Sequence, residues 1–275
     1  MSQGNFADAT ASRFEVQSAD GTTLAVWVEG EGSPLVMVHG SLQDHTASAV
    51  LVDELRSGVR TFSMDRRGFG ASGDAAGYSI EREFEDVAAV ADAVAARTRG
   101  PVALWGHSYG ANCAMGGAAL TPNIHHLVLY EPSLGLAYPP GSIDSIEDKV
   151  AAGEMEAALL EVLVDIAGMT DEEVQAMRSN PKMSWAARLA TVPTVPRECR
   201  AEDGWTYKPG QFDSIAAPTL MLTGSESPPV VTDATRQAAA AIPDARIEVL
   251  EGHGHFAHRT EPAMVAAIIK QFIES

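Results

Sequence analysis

A short apolar run, Val102-Ala103-Leu104-Trp105, leads straight into Gly106-His107-Ser108-Tyr109-Gly110, and a stretch of small residues, Tyr109–Leu120, leads out of it. The pattern G-x-S-x-G between a buried strand and a helix describes a sharp strand-to-helix turn that lifts a serine hydroxyl above the edge of a sheet. Such a turn strains the backbone at the serine, so its neighbours must be tiny, and Gly106 and Gly110 meet that need. The N-terminus of the following helix favours negative charge at the same point. A glycine-rich turn with an ordinary capping serine would carry the same five letters. The strand before, the helix after and suitable partners elsewhere favour a nucleophile.

Strand and helix patterns alternate on either side of this turn. Phe14–Gln17 and Leu24–Glu29 read as a strand pair turning at Asp20-Gly21. Leu35–Val38 reads as a strand buried on both faces, ending at His39-Gly40. Asp44–Ser57 is helical in pattern, and Arg60–Asp65 is the next strand, followed by a glycine-rich Arg66–Gly73. Ile80–Arg97 is an amphipathic helix with Phe84, Val87, Val90 and Val94 on one face. His126–Tyr130 is another apolar strand, running into Glu131-Pro132. Near Gly135 the alternation stops. Ile143–Ser184 is helical only, with an apolar-periodic Glu147–Met169 and a helix over Asp171–Arg178 capped by Thr170. Val192–Phe212, rich in Pro and Gly, reads as irregular. Strands return at Pro218–Leu222 and Ile247–Leu250, with helices over Asp233–Ala241 and Thr260–Ile273. The expected fold class is therefore α/β: a mostly parallel sheet flanked by helices, with a core over 1–134 and 214–275 and a helical insertion over 135–213. Residues 1–12 are small and polar and are expected to be loose.

Composition removes whole classes of function. With 275 residues, 45% hydrophobic and 20% charged, the chain is globular in type. A net charge of −18, from 19 Lys+Arg against 37 Asp+Glu, repels phosphate backbones and anionic lipid, so neither nucleic acid nor a membrane surface is an expected partner. Cys113 and Cys199 stand far apart with no CxxC, which excludes a disulfide framework or a zinc finger. No secretory signal and no membrane-length apolar run is present, so a cytoplasmic protein with reduced thiols is expected. Gly68-Phe69-Gly70-Ala71-Ser72-Gly73 matches G-x-G-x-x-G, but a dinucleotide site needs a helix to open at once. Here Asp74–Tyr78 continues as loop, and the glycines are expected to shape a turn instead.

Val38-His39-Gly40, Asp65–Ser72, Gly106–Gly110 and Gly254-His255 together resemble the α/β-hydrolase superfamily, in that family's order, over about residues 14–275. The resemblance implies an α/β-hydrolase fold whose helical insertion is a cap domain. It also implies an oxyanion hole built from the backbone N–H groups of Ser41 and Tyr109. The family's order Ser…acid…His implies His255 as general base, in Gly252-His253-Gly254-His255. His253 and His258 are its near neighbours, and His-x-His-x-x-His would otherwise suggest zinc. No acid or cysteine stands at ligand spacing, so no metal is expected.

The acid departs from the common pattern. Many relatives carry an aspartate three residues past the glycine that ends the penultimate strand. In Thr223-Gly224-Ser225-Glu226-Ser227-Pro228 that position holds Ser227. Glu226 is adjacent but shifted by one. Some members place the acid one strand earlier, where Glu131 closes Leu127–Tyr130. An unpaired carboxylate at the end of a buried strand is costly, and a histidine partner would explain it. Glu131 is the expected acid and Glu226 the alternative.

The expected activity is hydrolysis of a small-molecule ester, lactone or related acyl bond by Ser108, His255 and Glu131, with no cofactor. C–C bond hydrolysis, perhydrolysis, acyl transfer, lyase or cyclase chemistry, and simple binding on the same fold are the rivals. Met155, Leu159, Leu163, Met183, Trp185, Trp205 and Tyr207 are candidates for an apolar pocket wall, although such residues more often form core.

Overall fold

The computed structural model describes residues 12–136, 138–180, 184–203 and 205–275. The polar leader, apart from Ser12, lies outside these residues, as does Met183. Strand β1 (Ser12–Gln17) pairs antiparallel with β2 (Thr23–Val38), with Asp20 accepting a hydrogen bond from the Thr22 N–H in the turn between them. Sequence patterning separates Leu24–Glu29 from Leu35–Val38, whereas the structure joins them in one strand that doubles back around Gly30–Gly32. Helix α1 (Ala49–Leu55) precedes β3 (Ser57–Met64), which lies between the two arms of β2. Val26–Gly30 pairs with Met64 down to Arg60, and Glu31–Val38 pairs with Ser57 up to Met64.

Helix α2 (Ile80–Thr98), β4 (Val102–His107), α3 (Tyr109–Leu120) and β5 (Ile124–Tyr130) follow. Next come helices α4 (Ser142–Ala151), α5 (Met155–Glu161), α6 (Asp171–Ser179), α7 (Trp185–Thr191) and α8 (Val195–Glu202). The chain closes with β6 (Thr219–Gly224), α9 (Pro229–Ala240), β7 (Ala245–Leu250), α10 (Ala257–Thr260) and α11 (Pro262–Ile273). The sheet is seven-stranded, and β2-β4-β5-β6-β7 pair in parallel along it.

Side chains alternate across the two faces of the sheet as a strand's period of two requires. Leu104, Leu127 and Leu129 join Phe84, Val87, Val90 and Val94 of α2 in one core. Ala103, Trp105, Val128 and Tyr130 join Leu51, Leu55, Ile269 and Phe272 of α1 and α11 in the other. Both faces are covered, which is why these strands read as unbroken apolar runs.

Among the described residues, the segment between β5 and β6 contains helices and no strand. It has its own apolar cluster, in which Ile143, Leu159, Leu163, Val174, Val192 and Val195 pack with Leu42 from the loop after β2. The Thr170 cap is a full capping box with Glu173. Two expectations need correction here. Glu147–Met169 is not one helix, because Gly153 adopts φ +78° and separates α4 from α5. Val192–Phe212 is not irregular throughout, because Pro193 and Pro196 occupy the first turns of a short 3-10 turn and of α8, where a missing N–H costs nothing. Trp205 and Tyr207 pack against the first core rather than within the helical cluster. No helix of the described residues is long and apolar enough to cross a membrane.

Candidate active site

Ser108 stands at the junction of β4 and α3 with φ 55° and ψ −128°, a conformation that non-glycine residues rarely adopt. Its N–H is tied to Tyr130 O at 2.9 Å. The flanking glycines are sterically required. A Cβ on Gly110 would lie 2.3 Å from His39 O, and one on Gly106 would lie 2.5 Å from Gly110 O. The Ser108–Gly110 turn is thus wedged against the His39-Gly40 turn after β2. His39 fixes that turn from below. Its Nε2 accepts from the Arg66 N–H at 3.0 Å, so the proton sits on Nδ1, 2.9 Å from Gly40 O. Burial, reinforced by the Arg66 charge, pushes its pKa down to about 3, so it stays neutral.

The N–H groups of Ser41 and Tyr109 have no acceptor among the described residues. Tyr109 opens α3, where first-turn N–H groups have no helical partner. Its ring is fixed by the Arg66 guanidinium, 4.7 Å from the ring centroid, and by a 2.7 Å hydrogen bond between its hydroxyl and that of Tyr78. Arg66 is itself buried and pairs with Glu83 at 3.4 Å and with Glu198 of α8. Burial pushes the Glu83 carboxyl up to about 7, against the opposing pull of Arg66. The Glu198 and Glu202 carboxyls are also pushed up by burial. Glu202 is held by Asn112, Ser133 and Tyr138.

Glu131, expected from its place at the end of β5, is fully buried and meets His255. Its Oε2 lies 2.5 Å from His255 Nδ1, and its Oε1 accepts from Thr223 Oγ1 at 3.0 Å and from the Gly224 N–H at 2.8 Å. Burial alone would raise its pKa; the His255 contact and these donors outweigh it and hold the carboxyl below its ordinary range. Ser227 contributes as well: its hydroxyl, outside strict hydrogen-bond geometry, faces the carboxylate and favours the charged form. The contact to Glu131 leaves His255 Nε2 as the nitrogen available for proton exchange. The His255 loop is clamped by His107, whose Nε2 donates to His255 O at 2.9 Å, and by Tyr130, whose hydroxyl donates to Gly254 O. Glu226 is exposed at the rim, and among the described residues its carboxylate has no partner.

Ser41, Ser108, Glu131, Glu226 and His255 all line one cavity of about 530 Å³. Leu136, Tyr138, Val162, Leu163, Ile166 and Met169 supply its apolar wall, so of the seven aromatic and aliphatic candidates only Leu163 lines it among the described residues. A second groove of about 580 Å³, between Tyr78, Glu147, Arg197 and Arg200, does not include Ser108 or His255. The glycine-rich 68–73 segment continues as turns and loop until α2 opens at Ile80. The Asp65 carboxylate just before it accepts from the Ala71 and His45 N–H groups and from Trp27 Nε1, which makes the turn a structural knot. Among the described residues no group of three His, Cys, Asp or Glu side chains is arranged to hold a metal. Glu83, Glu198 and Arg188, which also borders the cavity, carry no sequence signal of their own, and only the fold brings them to the site beside Arg66 of the Asp65–Ser72 motif.

A serine on a strained strand-to-helix turn, with a carboxylate-bound histidine at the ends of neighbouring strands, defines a class of hydrolytic enzyme. A profile of the alpha/beta hydrolase family matches residues 35–268, and the chain belongs to that family. An alpha/beta hydrolase from Sphaerobacter thermophilus DSM 20745 superposes with a TM-score of 0.82 at 30% identity, covering 94% of this chain and all of the other (100%). The (E)-2-((N-methylformamido)methylene)succinate hydrolase of Acinetobacter baylyi is 24% identical over 94% of this chain and 97% of its own length. The enol-lactonase from Burkholderia xenovorans LB400 shares the fold, with a TM-score of 0.75 at 21% identity, over 95% of this chain and 100% of that one.

Proposed function

We propose that the protein hydrolyses a small-molecule carboxylic ester, lactone or related acyl bond through Ser108, His255 and Glu131. The observation that carries this reading is the pair of buried Glu131 and half-buried His255 on the wall of the cavity that Ser108 also lines. Ser108 Oγ attacks the acyl carbonyl while His255 Nε2 takes its proton. The Ser41 and Tyr109 N–H groups hold the developing oxyanion, where two fixed donors are worth about 3–4 kcal/mol each in the best cases. His255 then protonates the leaving oxygen, and water, deprotonated by the same nitrogen, releases the acyl group. Glu131 keeps the imidazole in the right tautomer and balances its transient charge.

In this reading residues 135–213 form a cap over a core of 1–134 and 214–275. The support is the separate apolar cluster of that segment and its contribution to the cavity wall. The apolar wall favours a substrate with an apolar part. Two free, buried cysteines, Cys113 and Cys199, favour a reducing, cytoplasmic setting. The test is fluorophosphonate labelling, followed by a screen over esters, lactones and thioesters with Ser108→Ala as control. Labelling at Ser108, with turnover lost in Ser108→Ala, supports the reading. No label and no acyl-enzyme by intact mass would reject it in favour of proton-transfer or binding chemistry.

A further inference from the structure

Arg188, on α7, is 4% exposed and borders the cavity that holds Ser108 and His255. Among the described residues its guanidinium makes no ion pair and no hydrogen bond, and its Nη2 is buried without an acceptor. Its guanidinium carbon lies 5.8 Å from the ring centroid of Phe256, so the charge sits beside the loop that carries His255. The surrounding field is unfavourable to a cation. Arg259 adds a second positive charge nearby, and burial together with Arg259 pushes the Arg188 pKa down to about 9, which leaves it charged at neutral pH.

A buried, charged group without a partner is costly and is normally compensated by an opposite charge. The other buried charges at this cavity are compensated internally. Glu131 faces His255, Glu198 faces Arg66, and Glu202 is bound by Asn112, Ser133 and Tyr138. Arg188 stands apart from this pattern, and the planar fork of a guanidinium matches a carboxylate with two parallel hydrogen bonds.

We infer that Arg188 is a carboxylate-binding subsite, and that the substrate is an acyl compound carrying a free carboxylate in addition to the bond that is cleaved. This rests on the proposed acyl hydrolysis at Ser108 and names its substrate class. The carboxylate enters the cavity, replaces its water with the Arg188 fork, and so fixes the distance between the substrate's anionic end and its scissile carbonyl. The apolar wall at Val162–Met169 then accommodates the chain between them.

The test uses two esters of equal acyl length, mono-4-nitrophenyl glutarate and 4-nitrophenyl pentanoate, with the whole chain and its Arg188→Gln variant. Wild type is expected to favour the anionic ester in kcat/KM by about tenfold or more, and the variant to lose about tenfold or more of that ratio, mainly through KM. Thermal-shift titration with free glutarate, against chloride at equal ionic strength, gives a readout that does not depend on Ser108. Glutarate is expected to raise the Tm of wild type and not of Arg188→Gln. Turnover of both esters with no preference, and no Arg188-dependent shift with glutarate, would overturn the carboxylate subsite and leave the hydrolase reading standing. An Arg188-dependent glutarate shift with no ester turnover would support the subsite and count against the hydrolase reading.

Discussion

His255 Nδ1 lies 2.5 Å from Glu131 Oε2, a carboxylate that also binds Thr223 Oγ1 and the Gly224 N–H. Those last two donors come from the strand after which many relatives carry their acid. The carboxylate at the end of β5 therefore reaches across to the end of β6.

Glu131→Gln is expected to lower turnover by about 10⁴-fold, the usual loss when the orienting acid goes but the nucleophile and oxyanion hole remain. Glu226→Gln, at the exposed rim, should change it by less than about tenfold. Steady-state kinetics on one ester substrate for both variants decides between them, and the reverse ranking would reassign the acid.

Ser108 is held at φ 55°, and strain of this kind costs of order 1–3 kcal/mol. Ser108→Ala and Ser108→Gly should both be inactive. The glycine variant alone relieves the strain, so its urea midpoint should lie above that of the alanine variant. Equal midpoints would show that the turn is not strained.

Gly110→Ala places a methyl 2.3 Å from His39 O, a backbone atom that cannot move aside. A loss of about 1–3 kcal/mol or more is expected by chemical denaturation, with turnover reduced because the Ser41 and Ser108 turns are pushed apart. A variant of unchanged stability would contradict this packing.

Glu83 should contribute a fall in stability between about pH 4.5 and 7, set against a rise from the buried histidines His39, His107 and His258, whose lowered pKa values leave only the unfolded state protonated there. Glu83 ionises near 4.5 when unfolded and at about 7 when folded. Below 4.5 both states hold the proton and the contribution is complete; as pH rises toward 7 the unfolded state releases it first, and the contribution declines. The span corresponds to about 3 kcal/mol at most. Raised Glu198 and Glu202 act in the same sense, while Glu131, with its lowered pKa, contributes stability that is lost only as pH falls below the carboxylate range. Glu83→Gln should remove the falling contribution and make the slope of Tm against pH more positive over this window, and an unchanged slope would remove Glu83 as a cause.

The elbow and its two strands were legible because their signals are local: tiny residues at a strained turn, and apolar runs for strands covered on both faces. Glu131 was legible because a carboxylate closing such a run demands a partner. Helix α8 was not, since Pro193 and Pro196 look like breakers until they are seen in first turns. The doubling back of β2 was hidden because Gly30–Gly32 reads as a plain break between strands. Arg188 was out of reach for a different reason. An arginine on an alanine-rich helix looks solvated, and only the packing of distant segments removes its water.

Ser227 leaves a lasting mark on how this chain can vary. In the proposed mechanism the carboxylate comes from the end of β5, so Glu226–Pro229, which line the cavity, are released from supplying a proton-relay partner. On that mechanism, substitutions at Glu226, Pro228 and Pro229 are expected to alter what enters the cavity while Glu131 stays paired with His255. Conversely, any scan that demands an aspartate after Gly224 would pass over this chain, whose carboxylate–histidine pair stands one strand over.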